Sequence, residues 1–395
     1  MNDKHILCII TSIVMCFAAI MFFNSTKTEK NLKIGFIFSE DETTPYTENF
    51  IDAMDSLVKE YGDSIECVAR YNVSDDQIDE FLDELITENC DYIIAASNGY
   101  EIKTKAVAAA HPDIEFCVPL GDNANKGEIL PNYHTCSGTI YQGRYICGVI
   151  AGEKLKEMIA DGTITSEQAK IGYVATSPNA QSISGYTAFY LGVQSVVPEA
   201  SMLVKYTYEW ADYYKEKQAA TDLINQGCII ISQHSDTIGP AVACEESLRT
   251  IPVYHVGYNQ SMTDIAPTSS LVSCSVDYSY YFKQSVEALL NGKKIEDCID
   301  GVTNGQDAMA GLKEGWVRIL DVNRAILPDN VDSIINETVN GLENGTIQVF
   351  SGPFIGANPD NENDTVDLSI PYIENEKTSA PTFRYVLKDV IKVLQ

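Results

Sequence analysis

Aromatic and carboxylate side chains recur in this chain directly after short apolar runs. The clearest case is the isoleucine-rich run 228–232, which is followed at once by Gln233, His234, Ser235 and Asp236. An aromatic ring that stacks on a planar ligand contributes about 0.5–1.5 kcal/mol beyond the burial of its area, and a hydrogen bond to a carboxylate contributes about 1.5–3 kcal/mol. Together, such side chains could hold a heterocyclic base. The aromatic and polar residues at such positions, which are the candidate ligand-binding residues, are Tyr46, Thr47, Asn98, Tyr100, Trp210, Asp212 and Asp236.

These candidates also have interpretations that need no ligand. Asn98 precedes a glycine, and Asn, Asp and Gly favour turns whatever they bind. Asp236 could cap a helix over 238–249, and Trp210 could be a core aromatic residue. Arg144, one turn into a predicted helix, is expected to form a structural ion pair and not to contact a ligand. The residues alone leave these alternatives open.

Motifs for common catalytic and cofactor-binding chemistries are absent from the sequence. It contains no GxxxxGK(S/T) phosphate loop, no GxGxxG after a strand, no HExxH and no GxSxG. The histidines His111, His134, His234 and His255 lack metal-ligand spacing. We therefore expect a binding protein that is not an enzyme and that uses no cofactor or metal ion.

The elements that position the candidate residues alternate between strand and helix. Apolar strands are predicted at 33–39, 63–69, 91–97 and 114–119, with helices around them, and the alternation restarts after Tyr133. This pattern indicates mostly parallel, doubly wound sheets, in which ligands bind beyond the carboxyl ends of the strands. Single cores stop growing at roughly 250–300 residues, and this chain has 395. The expected fold class is α/β, with two such lobes and a ligand cleft between them.

The order of the predicted elements also gives expected domain boundaries. These are an export signal or membrane anchor at 1–31, lobe I at 32–139 plus 262–293, and lobe II at 140–261 plus 294–395. In the carboxyl-terminal part, a turn-rich loop is predicted at 361–364 and a short helix over 381–394.

Charge and the amino-terminal segment limit the partners and the location. The net charge of −29, from 27 basic and 56 acidic residues, disfavours nucleic acid and anionic membrane surfaces as partners. Residues 6–23 are almost wholly apolar, longer than a typical signal core of about 7–15 residues and close to the roughly 20 that span a bilayer. A cleaved signal, a retained anchor and lipid attachment at Cys16 all stay open. We expect the protein outside the cytoplasm, attached to the membrane by this segment or secreted.

The cysteines do not suggest a disulfide framework. Eleven are present, an odd number follows the amino-terminal segment, and none forms a CxxC pair. Cys90, Cys147, Cys228 and Cys274 have apolar neighbours and are predicted to be buried as small hydrophobic side chains.

Several segments resemble the basic-membrane-protein family of periplasmic-type binding proteins. YQGRYICGVIAG at 141–152 resembles the YxxRYxxGxxAG segment of that family. QHSD at 233–236, GYNQ at 257–260 and VFSGPF at 349–354 resemble three further segments. The resemblance implies a type I solute receptor, with two Rossmann-like lobes joined by three crossovers, that delivers purine nucleosides or nucleobases to ABC permease subunits. It places Tyr46, Tyr100, Trp210, Asp236 and Asn259 at or beside ligand-lining positions.

The chain also departs from the family pattern. Asn259 stands where the family usually has Asp, and Val276, Asp277 and Tyr278 replace a frequent WNW segment, which makes Tyr278 a further candidate ligand-binding residue. Met15 before Cys16 does not fit a lipoprotein signal. Two other functions stay open: a ligand-sensing ectodomain that acts on a membrane signalling partner without transport, and a nucleoside-processing enzyme.

Overall fold

The computed structural model describes residues 31–248 and 250–394 as two α/β lobes and a small carboxyl-terminal sheet. The first elements are β1 (Leu32–Phe38), α1 (Pro45–Tyr61), β2 (Ile65–Arg70), α2 (Ile78–Thr87), β3 (Tyr92–Ala96), α3 (Glu101–Ala110), β4 (Glu115–Pro119) and β5 (Tyr133–Gly138). The next are α4 (Ile140–Ala160), β6 (Lys170–Ala175), α5 (Ala180–Gln194), β7 (Ser201–Tyr206), α6 (Tyr213–Asn225), β8 (Ile230–His234), α7 (Gly239–Glu245), β9 (Tyr254–Tyr258) and β10 (Ser270–Val276). The last are α8 (Ser279–Leu290), β11 (Val302–Asn304), β12 (Asp307–Ala310), β13 (Val317–Leu320), α9 (Val331–Glu343), β14 (Ile355–Asn358), β15 (Asn361–Asp367), β16 (Val386–Leu387) and β17 (Ile391–Leu394). Short 3-10 turns lie at Gly62–Ser64, Asn98–Tyr100 and Ser166–Gln168.

Each lobe is built on a seven-stranded sheet. The first sheet has the order β11-β12-β5-β4-β3-β1-β2, and the second has the order β13-β10-β9-β8-β6-β7-β17. The strands are parallel except at one edge of each sheet, where β11 and β13 run antiparallel to their neighbours. The predicted α/β class with two doubly wound, mostly parallel sheets is therefore confirmed. Because the strands are buried, as in β8, their sequences read as apolar runs.

The structure corrects the expected lobe boundaries at two places. Strand β10 was assigned to lobe I (262–293) but pairs in parallel with β9 of the second sheet. Strands β11 and β12 were assigned to lobe II (294–395), but β12 pairs in parallel with β5 and extends the first sheet. The chain passes between the sheets three times, from β5 to β6, from β10 to β11 and from β12 to β13. The sequence pattern identified neither β11 nor β12 as strands, and it did not identify the sheet to which β10 belongs, because strand partners are chosen through contacts distant in sequence.

Two predictions near the carboxyl terminus are wrong. Residues 361–364, predicted as a loop, belong to β15, which pairs with β14. Residues 381–394, predicted as a helix, contain β16 and β17 instead, and β17 pairs in parallel with the edge strand β7. Helical periodicity in so short a segment is a weak signal, and the open edge of β7 offers backbone hydrogen bonds that decide the outcome.

Helices α4 and α5 pack at unusually close range through two glycines. A methyl group added at Gly148 would lie 2.1 Å from the carbonyl oxygen of Phe189, and one added at Gly192 would lie 2.2 Å from that of Tyr145. Both neighbours are backbone atoms, so neither can yield by a side-chain rotation. Gly148 of the 141–152 segment and Gly192 of α5 are thus needed for the packing of the second lobe.

A Gly148→Ala variant is expected to be less stable than wild type by about 2 kcal/mol, because overpacking a close helix contact forces the backbones apart. Urea denaturation measures this loss. The matched control is Gly341→Ala in α9, where the added methyl meets the flexible end of the Ile347 side chain. Equal stabilities for the two variants would contradict this explanation.

The predicted burial of Cys90, Cys147, Cys228 and Cys274 is confirmed. The predicted export segment and Cys16 lie outside the described residues. Among the helices at 31–248 and 250–394, none has the length and apolar composition needed to cross a bilayer.

Candidate functional site

A cavity of about 460 Å³ lies where the carboxyl ends of strands from both lobes face each other. From the first lobe it is lined by Ser39, Glu40, Thr44, Tyr46, Asn72, Val73, Ser74, Asp75, Ser97, Asn98, Gly99 and Leu120. From the crossover and the second lobe it is lined by Ile140, Gln181, Trp210, Ala211, His234, Asp236 and Tyr258, and Pro381 of the carboxyl-terminal segment completes the wall. This is the location at which doubly wound sheets bind ligands.

The structure brings four of the residues predicted from sequence to this cavity. Tyr46 lies in the first turn of α1, Asn98 follows β3, Trp210 follows β7 and Asp236 follows β8. Trp210 is 42% exposed, so it is not a core residue. Asp236 is buried at the cavity wall, and its backbone N–H donates to the carbonyl oxygen of Trp210 at 2.9 Å. This contact ties two ligand-lining loops of the second lobe together.

The other predicted site residues lie outside the cavity lining. Thr47 is buried on α1, and the Tyr100 hydroxyl donates to the carbonyl oxygen of Val73. Asp212 caps α6, accepting a hydrogen bond from the backbone N–H of Lys215 at 3.0 Å. The Tyr278 ring stacks on that of Phe50 at a centroid distance of 4.1 Å, and Asn259 is buried behind Asp236. Neighbouring positions in a helix or turn point in different directions, and the sequence pattern did not resolve which of them faces the cleft.

Sequence reasoning also missed residues that line the cavity. Glu40 and Asp75 follow β1 and β2, Gln181 lies in the first turn of α5, and Tyr258 ends β9. Glu40 directly follows the predicted strand 33–39 and could have been chosen by the same criterion as Asp236. Asp75 lies among turn residues that give no separate signal.

Charged side chains in the cavity lining are all acidic. Glu40, Asp75 and Asp236 contribute carboxylates, and no Lys or Arg is among the described residues that line it. Burial raises the pKa of Glu40, and the nearby Asp41 raises it further. A ligand that donates hydrogen bonds and carries no negative charge fits these walls.

The Asp236 carboxyl group has an elevated pKa of about 8. Burial is the main cause, and the nearby Glu216 adds to it, whereas a hydrogen bond from Asn259 and the charge of Arg144 act in the opposite direction. Asn259 Nδ2 donates to Asp236 Oδ1 at 3.3 Å. Near neutral pH the protonated form of this carboxyl group is therefore favoured, and a ligand that donates hydrogen bonds to it shifts it toward the ionised form.

Two buried side chains shape the loop that carries Asp236. Glu216 of α6 accepts hydrogen bonds from the Ser235 hydroxyl at 2.7 Å and from the backbone N–H of Thr237 at 3.2 Å. Gln233 donates to the carbonyl oxygens of Ser235 and Thr237 at 2.9 and 2.8 Å. These bonds hold the loop from both sides and fix the position of the Asp236 backbone.

The guanidinium group of Arg144 and three aromatic rings lie one after another in the wall beside Asp236. The Arg144 guanidinium lies 3.7 Å from the ring centroid of Tyr258, which lies 4.8 Å from that of His234, and Trp210 follows at 6.2 Å. Burial lowers the pKa of His234 well below its ordinary value, and the charge of Arg144 lowers it further. A neutral imidazole in this wall suits stacking and not proton transfer.

The expected ion pair of Arg144 is not found. Among the described residues, the guanidinium donates instead to the carbonyl oxygen of Gln233 at 2.9 Å and stacks on Tyr258. The Tyr258 ring takes the place of an acidic partner, because the negative face of an aromatic ring attracts a buried cation.

The lining of the cavity is suited to holding a small ligand. Within 31–248 and 250–394, no three or more His, Cys, Asp or Glu side chains are grouped so that they could hold a metal ion. The cavity combines rings, amides and carboxylates from both lobes, which is the composition of a site that encloses a small ligand.

Comparisons with known proteins agree with this architecture. Residues 39–349 match the model of the Bmp family, described as ABC transporter substrate-binding protein PnrA-like. A purine-binding protein of Brucella abortus is 28% identical over 344 residues, which cover 86% of this chain and 89% of the relative. A protein of Haloferax volcanii, named as a candidate ABC transporter glucose-binding protein, is 26% identical over 265 residues, 67% of this chain and 62% of that relative. Among solved structures, an ABC transporter solute-binding protein from Conexibacter woesei has a TM-score of 0.62 at 17% identity and covers 80% of this chain and 97% of that one.

Proposed function

Because this chain belongs to the PnrA-like family of ABC transporter substrate-binding proteins, we propose that its cleft captures a purine nucleoside or nucleobase for an ABC importer. The observation that carries the proposal is the pairing of aromatic side chains from both lobes, Tyr46 and Trp210, with the buried Asp236 in one cavity. Proteins of this family bind a solute and do not transform it. The purine-binding relative from Brucella abortus supports the choice of ligand.

The dimensions and charge of the cavity support a nucleoside. Its volume of about 460 Å³ lies within the range of roughly 300–1,000 Å³ typical of small-molecule sites. The carboxylates of Glu40, Asp75 and Asp236 can accept hydrogen bonds from ring N–H groups and ribose hydroxyls. The same carboxylates repel phosphate, which favours nucleosides and bases over nucleotides.

Closure of the lobes would follow from contacts to both of them. A ligand shifts a conformational equilibrium only through its different affinities for the two states, and hinge closure around a ligand is the usual motion of two-lobed binding proteins. A ring held between Tyr46 of the first lobe and Trp210 of the second meets this condition. The closed form would then be presented to the permease subunits.

Substrate-binding proteins of ABC importers act outside the cytoplasm. For this chain we propose that the apolar segment 6–23 provides the export signal and, where it is retained, the membrane anchor. Its length matches the roughly 20 apolar residues that span a bilayer.

A thermal-shift assay tests the proposed ligand class. Adenosine, inosine, hypoxanthine, D-glucose and AMP are added separately to the purified protein. A ligand at 100 times its dissociation constant stabilises the native state by about 2.7 kcal/mol, so a purine nucleoside or base is expected to raise the melting temperature by several degrees. AMP and D-glucose are expected to have no effect. Stabilisation by D-glucose alone, or by AMP as strongly as by adenosine, would contradict the proposal.

A further inference from the structure

Asn259 connects the two lobes through its side-chain amide. Its Oδ1 accepts a hydrogen bond from Asn49 Nδ2 at 3.2 Å, and its Nδ2 donates to Asp236 Oδ1 at 3.3 Å. Asn49 lies on α1 of the first lobe, whereas Asn259 and Asp236 follow β9 and β8 of the second. All three side chains are buried. A continuous chain of hydrogen bonds thus runs from a first-lobe helix to the carboxylate that lines the ligand cavity.

The same two elements make a second contact beside this chain. Burial raises the pKa of Glu48, the α1 residue next to Asn49, and a hydrogen bond with the side chain of Gln260 opposes that shift. Glu48 is adjacent to Asn49 on α1, and Gln260 follows Asn259 directly, so this interaction lies beside the chain of hydrogen bonds.

The amide of Asn259 is matched to both of its partners. The Asn259 side chain accepts from one partner and donates to the other, which an ionised carboxylate cannot do because it only accepts. An aspartate in its place would also set a second negative charge against Asp236. The backbone at Asn259 has a φ of +66°, a left-handed conformation that Asn adopts more readily than most residues.

We propose that Asn259 is a positioning residue that holds the lobes closed and orients Asp236 toward the ligand. This inference deepens the proposed function, on which it rests for the presence of a ligand beside Asp236. A ligand hydrogen-bonded to Asp236 fixes the carboxylate, and the fixed carboxylate retains Asn259 and, through it, Asn49. Ligand capture and lobe closure are thereby linked through a single side chain.

An Asn259→Asp variant makes the inference testable through pH. The groups that face Asp236 and its loop are Glu216 of α6, Glu40 after β1, Arg144 of α4, and the rings of His234, Tyr258 and Tyr46. Two carboxyl groups in contact share one proton at low pH and repel each other when both ionise. In the closed form the pKa of this pair is raised, so closure is favoured at low pH and is lost as the pH rises through that raised value.

Small-angle X-ray scattering of the ligand-free full chain at pH 5 and pH 9 measures closure, and calorimetric titration with adenosine measures affinity. Relative to wild type at the same pH, Asn259→Asp is expected to have an unchanged radius of gyration at pH 5 and a larger one at pH 9. Its affinity for adenosine is expected to be about tenfold lower than that of wild type at pH 9. Asn49→Ala, which removes the first-lobe partner without adding charge, is expected to be more open at both pH values.

The matched control is Asn89→Asp. Asn89 is exposed and also has a left-handed backbone, with a φ of +62°, so it receives the same charge and a similar strain far from the cleft. It is expected to behave as wild type. A compact Asn259→Asp protein at pH 9, or an Asn49→Ala protein as compact as wild type, would overturn the inference. If adenosine does not bind, the proposed ligand fails, while the scattering data still decide whether Asn259 closes the lobes.

Discussion

An Asp236→Ala variant is expected to bind adenosine about 100-fold more weakly than wild type, because it loses hydrogen bonds to a charged group worth about 1.5–3 kcal/mol each. The Asp236 side chain is buried in the cavity wall, and its carboxylate accepts a hydrogen bond from the Asn259 amide. Its removal therefore leaves both the ligand donors and the Asn259 amide without an acceptor. Isothermal titration calorimetry at pH 8 gives the two dissociation constants directly.

Asp212→Ala is the matched control for this loss. Asp212 is also a carboxylate near Trp210 in sequence, but it caps α6 and lies outside the cavity lining. Its replacement is expected to cost about 1 kcal/mol of stability and to leave the affinity within twofold of wild type. Equal losses of affinity in Asp236→Ala and Asp212→Ala would contradict the assignment of Asp236 to the ligand.

Because the pKa of Asp236 is raised to about 8, the affinity of wild type for adenosine is expected to depend on pH. A ligand that donates hydrogen bonds to the carboxylate favours its ionised form, so its affinity is full above pH 8 and falls as the pH drops below that value. The ligand-free protein follows the opposite trend, because a buried carboxyl group whose folded pKa is raised destabilises the fold as the pH rises from about 4 to about 8. An Asp236→Asn variant is expected to lose both trends and to melt above wild type at pH 9 but not at pH 4.

A Trp210→Ala variant is expected to bind adenosine about 30-fold more weakly, through the loss of ring stacking and of the apolar area that the ligand covers. Because Trp210 is 42% exposed, its replacement is expected to change the unfolding free energy little. The chain has two tryptophans, and Trp316 is buried in the core. Ligand binding is therefore expected to change the fluorescence of wild type and not that of Trp210→Ala.

Tyr214→Ala separates stacking in the cavity from a general effect of surface aromatic residues. Tyr214 is 82% exposed and lies four residues from Trp210, but it is outside the cavity lining. We expect its replacement to leave affinity unchanged. An adenosine affinity that is equally reduced in Tyr214→Ala and Trp210→Ala would place the binding surface elsewhere.

The alternation of apolar runs and amphipathic segments was enough to predict two parallel α/β sheets with a cleft. It did not predict the sheet to which β10 and β12 belong, because strand pairing depends on contacts between distant segments. It also predicted a helix where β17 completes the edge of the second sheet. In each case the strand with which the segment forms hydrogen bonds decides the outcome, and the sequence pattern does not reveal that partner.

At the site, strand ends identified the right loops but not always the right side chains. Tyr46 lines the cavity and the adjacent Thr47 is buried in α1, since successive helix positions point about 100° apart. Asn98 faces the cavity, while Tyr100 turns toward the carbonyl oxygen of Val73. The position of Asn259 came from family resemblance, and its contacts with Asn49 and Asp236 required the fold.

The central claim, that the cleft holds a purine by means of Asp236, is tested most directly by mass spectrometry of the small molecule that copurifies with the full chain and is released by mild denaturation. We expect a purine nucleoside or base in a molar amount comparable to the protein, and at least tenfold less of it with Asp236→Ala, in keeping with the loss of charged hydrogen bonds. A hexose or a nucleotide released in its place, or the same amount of purine from both proteins, would contradict the account.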